Sequence, residues 1–131
     1  MIKELEIEEL NEFETNIIDK EEIKKEFKNN PFAKLLVLLE NNKIIGYIYY
    51  SVIYERIEIN QFEIDFLHRS CGKGTKLLKK LLETVDKDIT LEVRANNLSA
   101  IAVYEKLGFK RKAIRKNYYK TEDGILMERK K

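Results

Sequence analysis

The apolar positions of this chain suit two helices followed by strand-like stretches in the first half, then alternate between helical and strand spacing in the second. Residues 7–17 fit a first helix. Residues 20–29 predict a second, with Asp19 as N-cap and Pro31 beyond its end. Lys34–Glu40 is an apolar run of strand length. Asn41-Asn42 is a turn signal, since Asn tolerates left-handed backbone angles, and Ile44–Tyr54, rich in Ile, Tyr and Val, completes a hairpin. Glu58–Phe66 alternates polar and apolar as a further strand.

The period changes at residue 73. Leu77, Leu78, Leu81, Leu82 and Val85 share one helical face, with Lys76, Lys79 and Lys80 opposite, which predicts a helix over 73–86. In the strand 89–94, Ile89, Leu91 and Val93 share one face, and Thr90, Glu92 and Arg94 share the other. Asn97 is the N-cap of a helix that stops at Gly108. Residues 109–119 and 125–129 read as closing strands, joined by the turn Thr121-Glu122-Asp123-Gly124. The strand–helix–strand step over 58–94 implies a right-handed parallel crossover. Hairpins at both ends make the sheet mixed. The prediction is an α/β fold in one domain, residues 1–131, with helices packed on a central sheet.

Composition narrows the class. With 44% hydrophobic residues the chain is too apolar for disorder. No apolar run approaches the roughly 18 residues of a membrane span. The start, Met1-Ile2-Lys3-Glu4-Leu5-Glu6, carries no signal-peptide pattern. The single Cys71 excludes an internal disulfide, and no Cys/His cluster has zinc spacing. A cytoplasmic protein without metal or membrane attachment is expected. Residues 1–68 carry 8 Lys/Arg against 15 Asp/Glu, a net −7, and residues 69–131 carry 17 against 8, a net +9. A basic half suits an anionic ligand and an acidic half a cationic one, unless the lysines are simply a solvated helix face. No nucleic-acid motif accompanies the charge, so nucleic-acid binding is not expected.

Three segments carry candidate chemistry. Arg69-Ser70-Cys71-Gly72-Lys73-Gly74-Thr75 lies between a strand and a helix. Glycines let a backbone approach a ligand closely, and unpaired N–H groups at a helix start face an anion with the dipole in support. The spacing is neither that of a P-loop nor that of a dinucleotide fingerprint, and a plain flexible loop is the alternative. Glu92 is either a general base or half of a salt bridge with a nearby lysine or arginine. Tyr104 shares a helix face with Ile101 and Gly108 and is either a proton donor or a packed ring with a hydrogen-bonded hydroxyl. Together the segments suit an enzyme that grips a phosphorylated carrier and moves a group from it. Cys71 and His68 have no activating partner placed by the sequence.

Arg69-x-x-Gly72-x-Gly74 resembles the [RQ]-x-x-G-x-[GA] signature of the GNAT superfamily of acetyl-coenzyme-A-dependent N-acetyltransferases. Asn97-x-x-Ala100-x-x-x-Tyr104-x-x-x-Gly108-Phe109 resembles the family's second signature at the usual distance downstream. Leu91-Glu92-Val93-Arg94 and Arg115-x-Asn117-Tyr118-Tyr119 look like the bacterial ribosomal-protein alanine N-acetyltransferase branch. The chain departs from the family in having no proline in Asp65–His68, and from that branch in having no Pro-Trp segment in its first 40 residues.

The resemblance implies the GNAT fold, with helices on both faces of the sheet, and acetyl-coenzyme A as acetyl donor. Its pyrophosphate would lie on backbone N–H groups of Ser70, Cys71, Gly72, Lys73, Gly74 and Thr75, beside Arg69. Its pantetheine arm would add to the strand edge at Phe62, Glu63 and Ile64, where that strand splays from 89–94. A backbone N–H there would hold the thioester oxygen as charge develops. Asn97 would cap its helix and contact the donor. Glu92 would accept the acceptor's proton, with Glu63 as rival, and Tyr104 would protonate the leaving thiolate. Arg115, Tyr118 and Tyr119 would line the acceptor cleft, or pack within their strand. The implied reaction is direct transfer, in a ternary complex, to the α-amino group of a protein N-terminus, such as a small-subunit ribosomal protein. Lysine, a polyamine or a small amine are alternative acceptors, and a non-catalytic coenzyme-A-binding module is the alternative of another class.

Overall fold

The computed structural model describes residues 1–69 and 71–131, so Ser70, one of the expected phosphate contacts, lies outside the described residues. Among these, eight strands form one sheet: β1 (Ile2–Leu5), β2 (Glu14–Thr15), β3 (Ala33–Glu40), β4 (Lys43–Ile53), β5 (Arg56–Ile64), β6 (Asp88–Arg94), β7 (Lys110–Arg115) and β8 (Gly124–Arg129). Their order is β1-β3-β4-β5-β6-β8-β7, and β2 pairs with β4 in parallel at Lys43–Ile44, where β5 has already ended. The crossover from β5 through α2 to β6 joins neighbouring parallel strands, and the pairs flanking it, β4 with β5 and β6 with β8, are antiparallel. Helices α1 (Lys20–Asn29), α2 (Lys73–Thr84) and α3 (Leu98–Lys106) complete the fold.

The run Leu35–Leu39 is buried on both strand faces because both faces of the sheet are covered. Leu36 and Leu38 join the cluster of Leu77, Leu78 and Leu81 from α2 and Ile101 from α3. Leu35, Val37 and Leu39 join the opposite cluster, with Ile23 from α1 and Leu10. Each fully buried leucine removes apolar surface worth about 1.5–3 kcal/mol. The expected α/β architecture with helices on both faces is thus present.

Three boundaries differ from expectation. Residues 7–17 are not one α-helix. Ile7–Glu12 is a 3-10 helix entered through a capping box between Glu6 and Glu9, and β2 follows it. Ile7, Leu10 and Phe13 recur every third residue, the spacing a three-per-turn helix places on one side. Strand β1 pairs antiparallel with β3 from Ile2↔Leu38 to Leu5↔Leu35. Its Lys3 and Glu4 are the charges an edge strand carries, and they conceal it in the sequence. Finally, β7 stops at Arg115. Asn117 and Lys120 take left-handed angles (φ 53° and 66°), so Tyr118 and Tyr119 sit in a turn and not on a strand.

Candidate active site

Strands β5 and β6 pair only over Arg56–Ile59 and Asp88–Leu91. Beyond that point β6 continues with β8, and β5 continues with β4. Their facing edges part, as expected. The direction of the free groups follows from the ladder. The Asp65 N–H donates to the Ile45 carbonyl at 2.7 Å, and in an antiparallel pair hydrogen-bonded and non-hydrogen-bonded positions alternate. Glu63 and Gln61 therefore turn their backbone groups to β4, and Phe62 and Ile64 turn theirs into the gap. Arg69 Nε donates to the Ile64 carbonyl at 2.8 Å, which ties the glycine turn to the end of this strand.

On the α2/α3 side the gap opens into a groove of about 690 Å³. Phe62, Glu63 and Ile64 line it from β5, and Arg69, Gly72, Gly74 and Thr75 line it from the turn and the start of α2. Asn97 and Tyr104 line it from α3. Gly72 precedes α2 at φ 78°, a left-handed angle that glycine adopts without penalty. A Cβ on Gly74 would stand 3.4 Å from Ile64 Cγ1 and occupy the groove wall. Asn97 accepts the Ala100 N–H at 3.3 Å and so caps α3 from within the groove. Two expected contacts direct their side chains elsewhere. Lys73 Nζ pairs with Glu40 and reaches His68 Nδ1 at 3.0 Å, and Cys71 Sγ donates to the His68 carbonyl at 3.0 Å. Only their backbones remain for a ligand in the groove.

Across the sheet lies a second, more polar hollow of about 480 Å³. Glu92 projects into it with Thr90, on the face opposite Leu91 and Val93. Arg115, Tyr118 and Tyr119 close it, and Glu58 and Asn60 of β5 form the opposite wall. Arg115 Nε donates to Glu92 Oε1 at 2.9 Å, so the salt bridge open as an alternative is present. Glu92 Oε2 is buried without a hydrogen-bond partner among the described residues. Burial raises the Glu92 carboxyl above the ordinary glutamate value, and Arg115 opposes that shift in part. Arg115 also lies 5.4 Å over the Tyr118 ring, and Arg94 lies 4.3 Å over Tyr119. Tyr118 and Tyr119 meet edge to face at 4.9 Å.

Both hollows are lined by tyrosines. The Tyr104 ring packs 5.8 Å from Phe109 and 6.4 Å from Phe62, and burial, with a smaller contribution from Tyr119, pushes its hydroxyl up to about 12. Burial first and Glu92 second raise the Tyr119 hydroxyl above the ordinary tyrosine value. Glu63, the rival base, belongs to the groove, with Oε2 3.9 Å from an Arg69 guanidinium nitrogen. Asn60 and Glu58 escaped sequence reasoning. For Asn60 the reason is a bulge between Ile59 and Gln61 that breaks the alternation.

Residues 2–109 match the acetyltransferase (GNAT) family. The [ribosomal protein bS18]-alanine N-acetyltransferase of Escherichia coli strain K12 is 36% identical over 91 residues, covering 66% of this chain and 62% of that protein. The matched region thus spans about 62% of the length of that curated relative. The enzyme of the same description from Haemophilus influenzae is 38% identical over 103 residues, covering 74% of this chain and 70% of its own. The crystal structure of the ribosomal-protein-S18-alanine N-acetyltransferase from Escherichia coli superposes with a TM-score of 0.81 at 27% identity, covering 99% of this chain and 92% of that one.

Proposed function

This chain belongs to the acetyltransferase (GNAT) family, and from that premise we propose that it transfers an acetyl group from acetyl-coenzyme A to the α-amino group of a protein N-terminus. The observation that carries the proposal is the parting of β5 and β6, with Tyr104 on one side of the gap and Glu92 on the other. The groove fits the donor. A glycine turn at a helix start suits a pyrophosphate, and the exposed backbone of Phe62 and Ile64 suits an amide-bearing arm laid along a strand edge. Acetyl-coenzyme A supplies the acetyl group as a thioester.

The chain's own residues then have these tasks. Phe62 and Ile64 aim backbone N–H groups at the place where oxygen charge grows. Glu92 accepts a proton from the ammonium form of the acceptor, Oε2 being the oxygen that Arg115 leaves without a partner among the described residues. An α-amine has a reference pKa near 8, against about 10.4 for lysine, so a carboxylate and solvent suffice to free it. Tyr104 donates a hydrogen bond to the departing sulfur. Full transfer from a group near 12 to a thiolate of about 8.5 would be uphill by roughly 5 kcal/mol, so Tyr104 stabilises the sulfur chiefly without surrendering its proton.

The acceptor is read from the family branch and from the cleft. Its polar walls carry Glu58 and Glu92, and the acidic first half of the chain favours a basic partner such as a ribosomal protein. Competition between an alanine-starting peptide and an N-terminally blocked, lysine-containing peptide, read by mass, tests it. Acetyl on the alanine nitrogen is expected. Label mainly on lysine would leave only general amine acetylation, and acetyl-coenzyme A binding without thiol release would reduce the chain to a binding module.

A further inference from the structure

A polar chain runs from the end of α1 through the sheet to the acceptor cleft. Its hydrogen-bond directions are forced. The Phe32 backbone N–H donates to Asn30 Oδ1 at 3.1 Å, which fixes that amide. Asn30 Nδ2 then spends its two hydrogens on Tyr49 Oη and Ser51 Oγ, each at 2.9 Å. Ser51 is 2% exposed, and having accepted from Asn30 it has one hydrogen left. That hydrogen goes to Asn60 Oδ1 at 2.7 Å. The Asn60 amide is thereby oriented. Its oxygen faces Ser51, which leaves its Nδ2 with no partner among the described residues, and the residue itself lines the cleft that also holds Glu92.

Asn60 also sits at the bulge, where Tyr49 pairs with Gln61 and Tyr50 with Ile59, leaving residue 60 unmatched. A bulge re-aims a side chain and recurs beside active sites. Ser51, the buried member of the relay, is satisfied on both sides, by Asn30 and by Asn60.

We propose that Asn60 Nδ2 is a binding group for the acceptor's first carbonyl oxygen, and that the Asn30–Ser51 relay holds it in that orientation. This inference rests on the α-amine acceptor proposed above. The cleft then offers two unlike partners. Glu92 Oε2 takes the amine, and Asn60 Nδ2 donates to the carbonyl that a single carbon separates from that amine. The ε-amine of lysine has only methylenes at that distance, so it satisfies one partner and leaves the other bare. Asn60 becomes the residue that tells an N-terminus from a side-chain amine. Ser51 is a positioning residue, since it acts only through Asn60.

The test compares wild type, Asn60→Ala and Ser51→Ala on an alanine-starting peptide. It also compares them on alaninamide and on isopropylamine, the same amine with a methyl in place of the carboxamide. Asn60→Ala should raise KM for the peptide about threefold to tenfold, the worth of one hydrogen bond, with kcat and acetyl-coenzyme A binding nearly unchanged. Its preference for alaninamide over isopropylamine, measured as substrates or as competing inhibitors, should fall by the same factor. Ser51→Ala should move both quantities in the same direction by less, because the Asn60 amide is then free to turn. An unchanged KM and an unchanged preference in Asn60→Ala would overturn the assignment while leaving α-amine acetylation intact. Loss of acetyl-coenzyme A binding in that variant would also overturn it, by making Asn60 a determinant of the fold. Failure of the wild type to acetylate the peptide at all would instead strike the proposed acceptor, and the role of Asn60 would fall with it.

Discussion

Glu92 gives one carboxylate oxygen to Arg115, at 2.9 Å from Nε, and keeps the other buried and without a partner among the described residues. The pair is asymmetric by construction. Arg115 sits on β7 and orients the carboxylate through Oε1. Removing Arg115 removes the influence that opposes burial, so the Glu92 carboxyl should rise further. In Arg115→Gln the acid limb of the kcat/KM profile should shift to higher pH, with acetyl-coenzyme A affinity preserved. An unmoved limb would mean that the titrating base is not Glu92.

Glu92→Gln separates function from stability. Turnover should fall by about 10² to 10⁴, the usual worth of a general base. Stability should move the other way at neutral pH. The folded-state value of Glu92 is raised, so whatever it contributes to stability is present below its unfolded value of about 4.3 and lost as pH rises through the folded value. Thermal melts should show the variant at or above wild type at pH 7, with the difference closing toward pH 4.

Tyr104→Phe keeps the packing against Phe109 and Phe62 and removes the hydroxyl. Turnover should drop by about 10², with donor binding intact. Because the hydroxyl is held near 12, wild-type activity should show no loss attributable to Tyr104 ionisation up to about pH 10. A rate limb near pH 10 that vanishes in Tyr104→Phe would contradict this environment.

Gly74→Val probes the donor groove. In the wild type, acetyl-coenzyme A at about 100 times its dissociation constant should add roughly 2.7 kcal/mol and raise the melting temperature by several degrees. The valine would lean on Ile64 and Phe62 and fill the space between α2 and β5. The ligand-induced shift should disappear while the unliganded melt changes little. A retained shift would place the phosphates elsewhere.

Glu40 carries the opposite pH sign from Glu92. Its hydrogen bond with Lys73, at the first residue of α2, lowers it below the ordinary carboxylate value. The stability it contributes is present above about pH 4.3 and is lost as pH falls through the lowered value. Glu40→Gln should melt slightly earlier than wild type at neutral pH and low salt, and the gap should narrow with salt and below pH 4.

Much of this was legible in the sequence because period and punctuation agreed. The spacing of Leu77, Leu78 and Leu81 fixed a helix and its buried face, and Asn97 and Gly108 fixed both ends of the next helix. Glu92 could be assigned to the face opposite Leu91 and Val93 from alternation alone. What stayed hidden was set by tertiary partners. Strand β1 exists because β3 offers it a ladder, and its own charges argue against it. Tyr118 and Tyr119 read as strand residues because their strand propensity outweighed the one local signal of a left-handed turn, Asn117 itself. The partner of Glu92 lies 23 positions away, on a strand that reaches it only through β8. Asn60 was hidden for a different reason, since a bulge shifts the alternation by one without altering composition.

The parting of β5 and β6 leaves unpaired backbone in the middle of a sheet instead of at its border. An exposed border strand invites another chain to dock and is a route to aggregation. Here the open ladder is recessed between two continuing strands, so its neighbours shield it from a second polypeptide while admitting something as slender as a pantetheine arm. The Phe62 and Ile64 amides should therefore exchange with solvent deuterium readily in the free protein and become protected when acetyl-coenzyme A is bound. The donor would serve as the sheet's missing strand, and its departure would restore the vacancy without disturbing the rest of the ladder.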